Sequence, residues 1–344
     1  MMEIRKTITT KIKVIYRKNK NSFIGRPLSF LLSCYRFSFV SLSKMVMDIK
    51  RMKLQASFKK VLKTGCFECD PAAKTEVHSL ICHRYLNMSL TAIKSLLRFH
   101  SSLAVILHDD GSLTDDDTIL LRSHIKGVCI ISKADADEKI FAMLQKYPNC
   151  RKYRGNLINS LQLFDFALLS NTGKIIAMDS DVLFFQPPAR LIDWIQNNTK
   201  EIIYYVEESP LQQKEFLLKF GYTNYNPNFC FGFVCFHKEV IDLETIESVL
   251  SKIDTMNWVL NQNVFAILMN NISHEYPRCV FDKNTYQDIT SINDGKIFRH
   301  YKYSWLSTEF EVSNLLDVYR EDVENVLSKS AKLTFWPRQN RNRS

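Results

Sequence analysis

The run GKIIAMDSDVLFFQPP at residues 173–188 sets the tightest limit on what this chain can become. Ile175 to Met178 are apolar. Asp179 and Asp181 follow, separated by Ser180, and a second apolar run from Val182 to Phe185 leads into two prolines. Short apolar runs bounded by glycine and proline read as buried central strands. A buried strand that ends in two acids sets like charges side by side and strips their hydration, which is costly without a compensating cation. Hard divalent ions such as Mg²⁺ or Mn²⁺ take oxygen ligands and bring substrate phosphates with them. The stretch therefore predicts a metal and diphosphate site at the carboxyl end of a strand, with Asp179 and Asp181 as ligands.

The residues before it alternate between strand and helix patterns. Strands are expected at 77–82, 103–107 and 128–131. Helices are expected at 90–99, from Thr114 to about His124, at 136–147 and, as one longer helix, at 156–170. Thr114 with Asp117 three residues on is a capping pattern. Alternation of this kind predicts an α/β fold with a mostly parallel, doubly wound sheet flanked by helices. Ligands of such sheets bind beyond the carboxyl ends of the strands. Arg84 and Tyr85, Asp109 and Asp110, and Asp179 and Asp181 should then line one crevice. Tyr85 can stack on a base and Arg84 can pair with phosphate. Asp109 and Asp110 are read as turn residues that could also contact a ribose, and Arg154 as a residue reaching the diphosphate. The nine glycines never form a G-x-G, so a dinucleotide-binding loop and a P-loop are excluded.

At this point the chain resembles a GT-A-fold glycosyltransferase of the nucleotide-diphospho-sugar transferase superfamily. The match rests on Asp179-Ser180-Asp181 after an apolar strand, the FFQPP exit, and a following helix with Leu191, Trp194 and Ile195. It continues through NPNFCFGFVCF at 226–236, WVLNQN at 258–263 and FRHY at 298–301. The chain is similar to glycogenin-like members in FRHY and to bacterial members that carry the HDDGSLT turn and a basic N-terminal lead. The resemblance covers about residues 75–305 and implies a GT-A-type sheet, with Mn²⁺ or Mg²⁺ held by Asp179, Asp181 and, as third ligand, His300. It implies a donor-facing turn near Asn228 and Gly232, and Ser180 in contact with the donor. Gln262 would sit at the reacting centre beside Asp181. Asn261 stands where the family has an acid, and its usual Asn-Ser-Gly is absent. A nucleotide-sugar donor, UDP-linked by default, and a saccharide or glycolipid acceptor follow from the same likeness, as does a place in polysaccharide biosynthesis. Glu207, Glu208 and Asp254 are available as a base, and their spacing does not choose among them.

The net charge of +10 is unevenly spread. Residues 1–63 hold sixteen Lys and Arg against Glu3 and Asp48, which makes that segment +14 and leaves about −4 for the other 281 residues. Residues 27–47 mix Phe, Leu, Tyr and Val with the basic residues, and Arg36 interrupts them. Such a segment is too broken to span a bilayer and suits a helix lying on a membrane surface. The expected organisation is a basic helical extension at 1–73, a transferase domain at 74–330 and a basic tail at 331–344. The expected location is the cytoplasm, on the inner face of a membrane, without nucleic acid. Nine cysteines, with no signal peptide apparent, read as reduced thiols. The lone CxxC of Cys66 and Cys69 reads as ordinary small residues rather than a zinc site.

Three other readings remain at this stage. IIAMDSDVLFF fits the first motif of haloacid-dehalogenase-type phosphatases, with Asp179 as nucleophile. A sugar nucleotidyltransferase would want a glycine-rich loop after the first strand, where His83-Arg84-Tyr85 has none. A catalytically degenerate sugar-nucleotide-binding module would explain the Asn261 departure.

Overall fold

The computed structural model describes residues 25–197, 199–206, 211–223, 229–289, 295–306, 308 and 313–332. The chain divides into two compact units. One takes in the first helix as far as Gln55 together with Ser304–Asp317; the other runs over Ala56–Tyr303 and resumes at Val318.

In the first unit, helix α1 (Gly25–Phe58) is the long element that the basic lead predicts. Lys50 binds Asp317 at 2.7 Å and the Ser313 carbonyl at 3.1 Å. Met47 and Leu54 are buried, whereas Leu42, Met45, Ile49 and Met52 lie exposed at spacings of three and four, which is one stripe of a helix. No helix among the described residues is long and apolar enough to cross a membrane.

In the second unit the chain runs β1 (Phe67–Glu68), β2 (Glu76–Ile81), α2 (Leu86–Leu97), β3 (Ala104–Asp109), α3 (Asp115–His124), β4 (Ile125–Lys126), β5 (Cys129–Ile131), α4 (Lys133–Met143), α5 (Pro148–Asn156) and α6 (Ser160–Leu168). It continues as β6 (Lys174–Met178), β7 (Val182–Phe184), α7 (Ala189–Gln196), β8 (Ile202–Val206), α8 (Leu211–Lys219), β9 (Phe229–His237), α9 (Leu243–Leu250) and α10 (Leu260–Asn271). Strands β10 (Arg278–Val280), β11 (Tyr286–Asp288) and β12 (Phe298–His300) follow, then α11 (Tyr303–Leu306) and α12 (Asn314–Lys332). Residues 56–73, assigned above to the extension, belong to this unit, with Phe58, Val61 and Cys69 buried.

Seven strands form the main sheet in the order β10-β8-β9-β6-β2-β3-β5, parallel except where β9 runs against β6 and β8. This is the mostly parallel, helix-flanked α/β sheet that the alternation predicts. The reason is visible in β6, where Ile175 to Met178 are all buried: a strand covered on both faces is apolar throughout. The Thr114 and Asp117 capping box is present, each side chain accepting from the other's backbone N–H.

One element differs from expectation. The helix expected at 156–170 is shorter, α6 at Ser160–Leu168, and an unexpected helix, α5 at Pro148–Asn156, precedes it with Leu157 extended between the two. The break lets Arg154, at the end of α5, fold back and grip Asp165 of α6 through both oxygens at 2.6 and 2.7 Å. The Ser160 hydroxyl secures the turn by donating to the Leu157 carbonyl at 2.5 Å.

A second, three-stranded sheet has the order β11-β12-β7. It matters for function because β7 begins at the residue after Asp181 and pairs with β12 in the register His300 to Val182.

The core also holds a sealed polar cluster. His78 Nδ1 lies 2.9 Å from His108 Nε2, and His78 Nε2 lies 3.1 Å from Glu76 Oε2. Ser170 donates to the same carboxylate, as does the Asn171 N–H at 3.1 Å, and Phe166 covers both rings.

Candidate functional site

Asp179-Ser180-Asp181 is the corner at which the chain leaves the main sheet and enters the small one. The Asp179 N–H donates to the Gly232 carbonyl at 2.8 Å, which extends the β6–β9 ladder by one bond. The Tyr301 N–H donates to the Asp181 carbonyl at 3.1 Å, which extends the pairing of β12 with β7. Two sheets thus hold the two acids from opposite sides. The β12 register carries His300 in from more than a hundred residues away.

Asp179, Asp181 and His300 each offer one ligand atom, and these atoms lie within 4.8 Å of one another. His300 Nε2 is 3.1 Å from Asp181 Oδ1 and 3.6 Å from Asp179 Oδ2. Asp181 and His300 are buried and Asp179 is half-buried, so the group has one open edge. The other ring nitrogen of His300 is engaged by the Tyr205 hydroxyl, with Cys230 Sγ at 3.7 Å. A histidine held through one nitrogen presents the other in a fixed direction, as metal-binding histidines do. The Asp181 second oxygen accepts from the Tyr303 N–H at 2.7 Å, which holds that carboxylate in place.

Gly232 is part of the same design. A Cβ built there would stand 2.5 Å from His300 Cε1, 2.8 Å from Nδ1 and 2.9 Å from Nε2. Contacts that short do not occur in folded proteins, so the absent side chain is the space the imidazole occupies.

The electrostatics agree with a cation site. Burial pushes the Asp181 carboxyl up, but the neighbouring His300 charge, its hydrogen bond and the Tyr303 N–H outweigh burial and hold it below the usual carboxylate range. Burial pushes His300 down, but Asp181 and Cys230 together raise it well above the ordinary histidine value. Two carboxylates this close, one buried and one half-buried, favour a positive charge beside them, which a divalent cation would supply. Two carboxylate oxygens and one imidazole nitrogen, oriented from behind and open on one side, fit a divalent metal ion. Among the described residues this is the group of its kind.

The other expected residues fall into three sets. Near the centre are Ser180, half-buried in the turn, and Gln262, whose Oε1 accepts from the Phe231 N–H at 3.0 Å, next to Gly232. Further out, the Tyr85 ring meets Tyr303 edge-on at 5.4 Å, and the exposed Arg84 guanidinium lies 5.2 Å from the Tyr85 ring centre. Engaged elsewhere is Arg154, 1% exposed, whose guanidinium is taken up by Asp165 and by Asp137 at 3.0 Å. A buried guanidinium matched by one buried and one half-buried carboxylate is an internal strut, which corrects the diphosphate role. Asp109 and Asp110 take their turn role: Asp109 Oδ1 accepts from Gly111, Ser112 and Leu113 at 2.8, 3.1 and 3.1 Å, and Asp110 from Ser112 at 2.9 Å. Gly111 supplies the positive φ of 97° that this turn requires. Glu207, Glu208 and Asn228 lie outside the described residues. Asp254 lines a hollow of about 270 Å³ with Lys219 and Asn263.

Sequence reasoning missed Gln162, which donates to Asp179 Oδ1 at 2.6 Å, and Tyr205 behind His300. A signal for Gln162 existed. It and Asp165 are the polar residues inside the otherwise apolar run LQLFDFALL, and an uncharged amide in such a helix has a partner to meet.

Several solved structures are similar to this chain. Mouse xyloside xylosyltransferase 1, in its apo form, is 14% identical, with 69% of this chain and 98% of that chain covered and a TM-score of 0.49. The galactosyltransferase LgtC, in complex with donor and acceptor sugar analogues, is 11% identical over 76% of this chain and 98% of its own, with a TM-score of 0.45. Glycosyltransferase GlyE of Streptococcus pneumoniae TIGR4, as the apo form, is 15% identical over 76% of this chain and 63% of its own, with a TM-score of 0.47. The likeness is one of chain architecture at low sequence identity. No protein-family model matches the chain, and no curated protein matches it.

Proposed function

We propose that this protein is a metal-dependent glycosyltransferase that moves a sugar from a nucleotide-diphosphate donor, UDP-linked in the first instance, to a saccharide or glycolipid acceptor. One observation carries the reading: Asp179, Asp181 and His300 meet within 4.8 Å, at the carboxyl end of an apolar strand, in the order that the sequence resemblance requires.

Each residue's part follows from its surroundings. Asp181 and His300 hold a divalent ion, Mn²⁺ or Mg²⁺, from the buried side, and Asp179 holds it at the open edge. When bound, such an ion supplies Lewis-acid neutralisation of the charge that builds on a departing diphosphate. Gly232 keeps the floor of the site free of side chains. Gln262 fixes the backbone beside that floor and, by the resemblance, would face the reacting sugar. Tyr85 offers an aromatic plane and Arg84 an exposed cation at the end of β2, suited to a base and its phosphate.

The experiment is a thermal-shift panel of nucleoside diphosphates with and without Mn²⁺. A ligand that binds only the folded state raises the melting point. UDP with Mn²⁺ is expected to shift the wild type and to leave Asp181→Ala unmoved. A shift of equal size without metal, surviving the substitution, would falsify the site.

Contact of α1 with a membrane surface belongs to the same proposal. What supports it is the exposed row Leu42, Met45, Ile49 and Met52 in a segment of charge +14. The chain should pellet with anionic vesicles, and Met45→Glu with Met52→Glu should leave it in the supernatant. Equal pelleting of both forms would remove the membrane from the account.

A further inference from the structure

The polar side chains behind Asp179 form an ordered chain of their own. It starts at the backbone N–H of Gln262, in the first turn of α10, where helix geometry supplies no partner. That N–H donates to Asn261 Oδ1 at 2.8 Å. A backbone N–H can only donate, so this bond fixes which end of the Asn261 amide is oxygen. The other end, Nδ2, donates to Gln162 Oε1 at 3.1 Å and to the Asn159 carbonyl at 3.4 Å. Gln162 must then turn Nε2 outward, and it donates to Asp179 Oδ1 at 2.6 Å. Donor meets acceptor at every link, from an obligate donor to an obligate acceptor. Asn261 is 2% exposed and Gln162 9%, so water does not substitute for either.

We propose that Asn261 and Gln162 are positioning residues that set the direction of the Asp179 carboxylate. The inference rests on the metal reading above. By occupying Oδ1, Gln162 leaves Oδ2 as the oxygen turned toward His300, 3.6 Å away, and toward a divalent ion shared by the two. The relay also explains an asparagine where the resemblance calls for an acid. An aspartate there would meet Gln162 Oε1 with another lone pair. It could continue the chain only by taking up a proton or by reversing Gln162, which would set oxygen against the Asp179 carboxylate. In a buried, low-dielectric setting such a mismatch is expensive.

The test measures Mn²⁺ affinity by calorimetry, and the melting point of the metal-free chain, for wild type, Gln162→Met, Asn261→Leu, Asn261→Ser, Asn263→Ala and Asp181→Ala. Outer partners of metal ligands typically govern about 10–100-fold in affinity. Gln162→Met and Asn261→Leu are each expected to weaken Mn²⁺ by about tenfold or more, the second without touching a group that bonds Asp179 directly. Asn261→Ser puts a hydroxyl, able to accept and to donate, in place of the amide and should recover part of the loss, and Asn263→Ala, on the same turn but outside the chain of bonds, should change nothing. Lower melting points with unchanged Mn²⁺ affinity would reduce both residues to packing and overturn the relay while the metal site stands. Weakening by Gln162→Met alone would also overturn it, because the link through Asn261 would then be idle. A wild-type chain that does not bind Mn²⁺, with Asp181→Ala indistinguishable from it, would overturn the metal reading and the relay together.

Discussion

Among the described residues, two places bury imidazole beside carboxylate, and they behave in opposite ways. At Asp179, Asp181 and His300, one imidazole faces two acids, and its affinity for a proton is raised. At Glu76, His78 and His108, two imidazoles share one acid. Burial lowers both, and His108, with His78 and Arg154 adding to the effect, lies well below the usual histidine value. His108 Nδ1 finds no hydrogen-bond partner among the described residues, which suits a ring that stays neutral. The first group has a surplus of carboxylate over imidazole and one half-buried member at its edge; the second has more imidazole than carboxylate and is closed. The ratio of acids to imidazoles, together with access, separates a cation site from a structural cluster built of the same residue types.

Substitutions can break or sharpen this contrast. The largest effect is expected from Asp181→Ala, which removes the surplus itself: Mn²⁺ binding should fall by about 100-fold or more. Retained Mn²⁺ affinity would mean that the two clusters do not differ in kind. Next comes Gly232→Ala, whose methyl would stand 2.5 Å from the His300 ring. It should cost on the order of 10–100-fold in Mn²⁺ affinity by displacing one ligand and about 1–3 kcal/mol in stability by overpacking, read together by calorimetry and denaturant melts.

The sealed cluster makes a prediction about pH. Its two histidines have lowered folded values, so below about pH 6.5 the unfolded chain takes up protons that the folded chain refuses. Stability from this source is complete above that value and is lost as pH falls through it, with a limiting slope of about 1.4 kcal/mol per proton per pH unit. His108→Gln should flatten the loss of stability between about pH 7 and pH 5 and leave Mn²⁺ binding at neutral pH unchanged. Superimposable pH profiles for the two chains would show that the cluster is not the source. The smallest effect is expected from Asp109→Ala, which takes one acceptor from three backbone N–H groups in an exposed turn. It should lower stability by about 1 kcal/mol without altering metal affinity, since that acid serves the turn and not the ion.

Much of this was legible in the order of residues. The strand that carries Asp179 and Asp181 is apolar on both faces, and the capping box at Thr114 is local chemistry, so neither needs the rest of the fold to be read. His300 was reachable through motif order alone, because the β12 to β7 register that delivers it joins residues 118 positions apart. Arg154 was misplaced for a physical reason. A basic run before a helix looks the same whether the guanidinium reaches outward or folds back, and the difference is set by Asp165, eleven residues on. Gln162 and Tyr205 were missed because outer partners carry no charge signature; their roles exist only once the sheets are paired.

Gly232 has a consequence beyond this one chain. Because the vacant methyl position is filled by the third ligand's ring, the residue at that place reports on the ligand without any coordinates. In a kindred sequence, a bulkier residue there and a histidine at the end of the short strand are mutually exclusive occupants of one volume. Reading the single letter opposite the acid pair therefore sorts copies able to grip an ion from copies that have given it up.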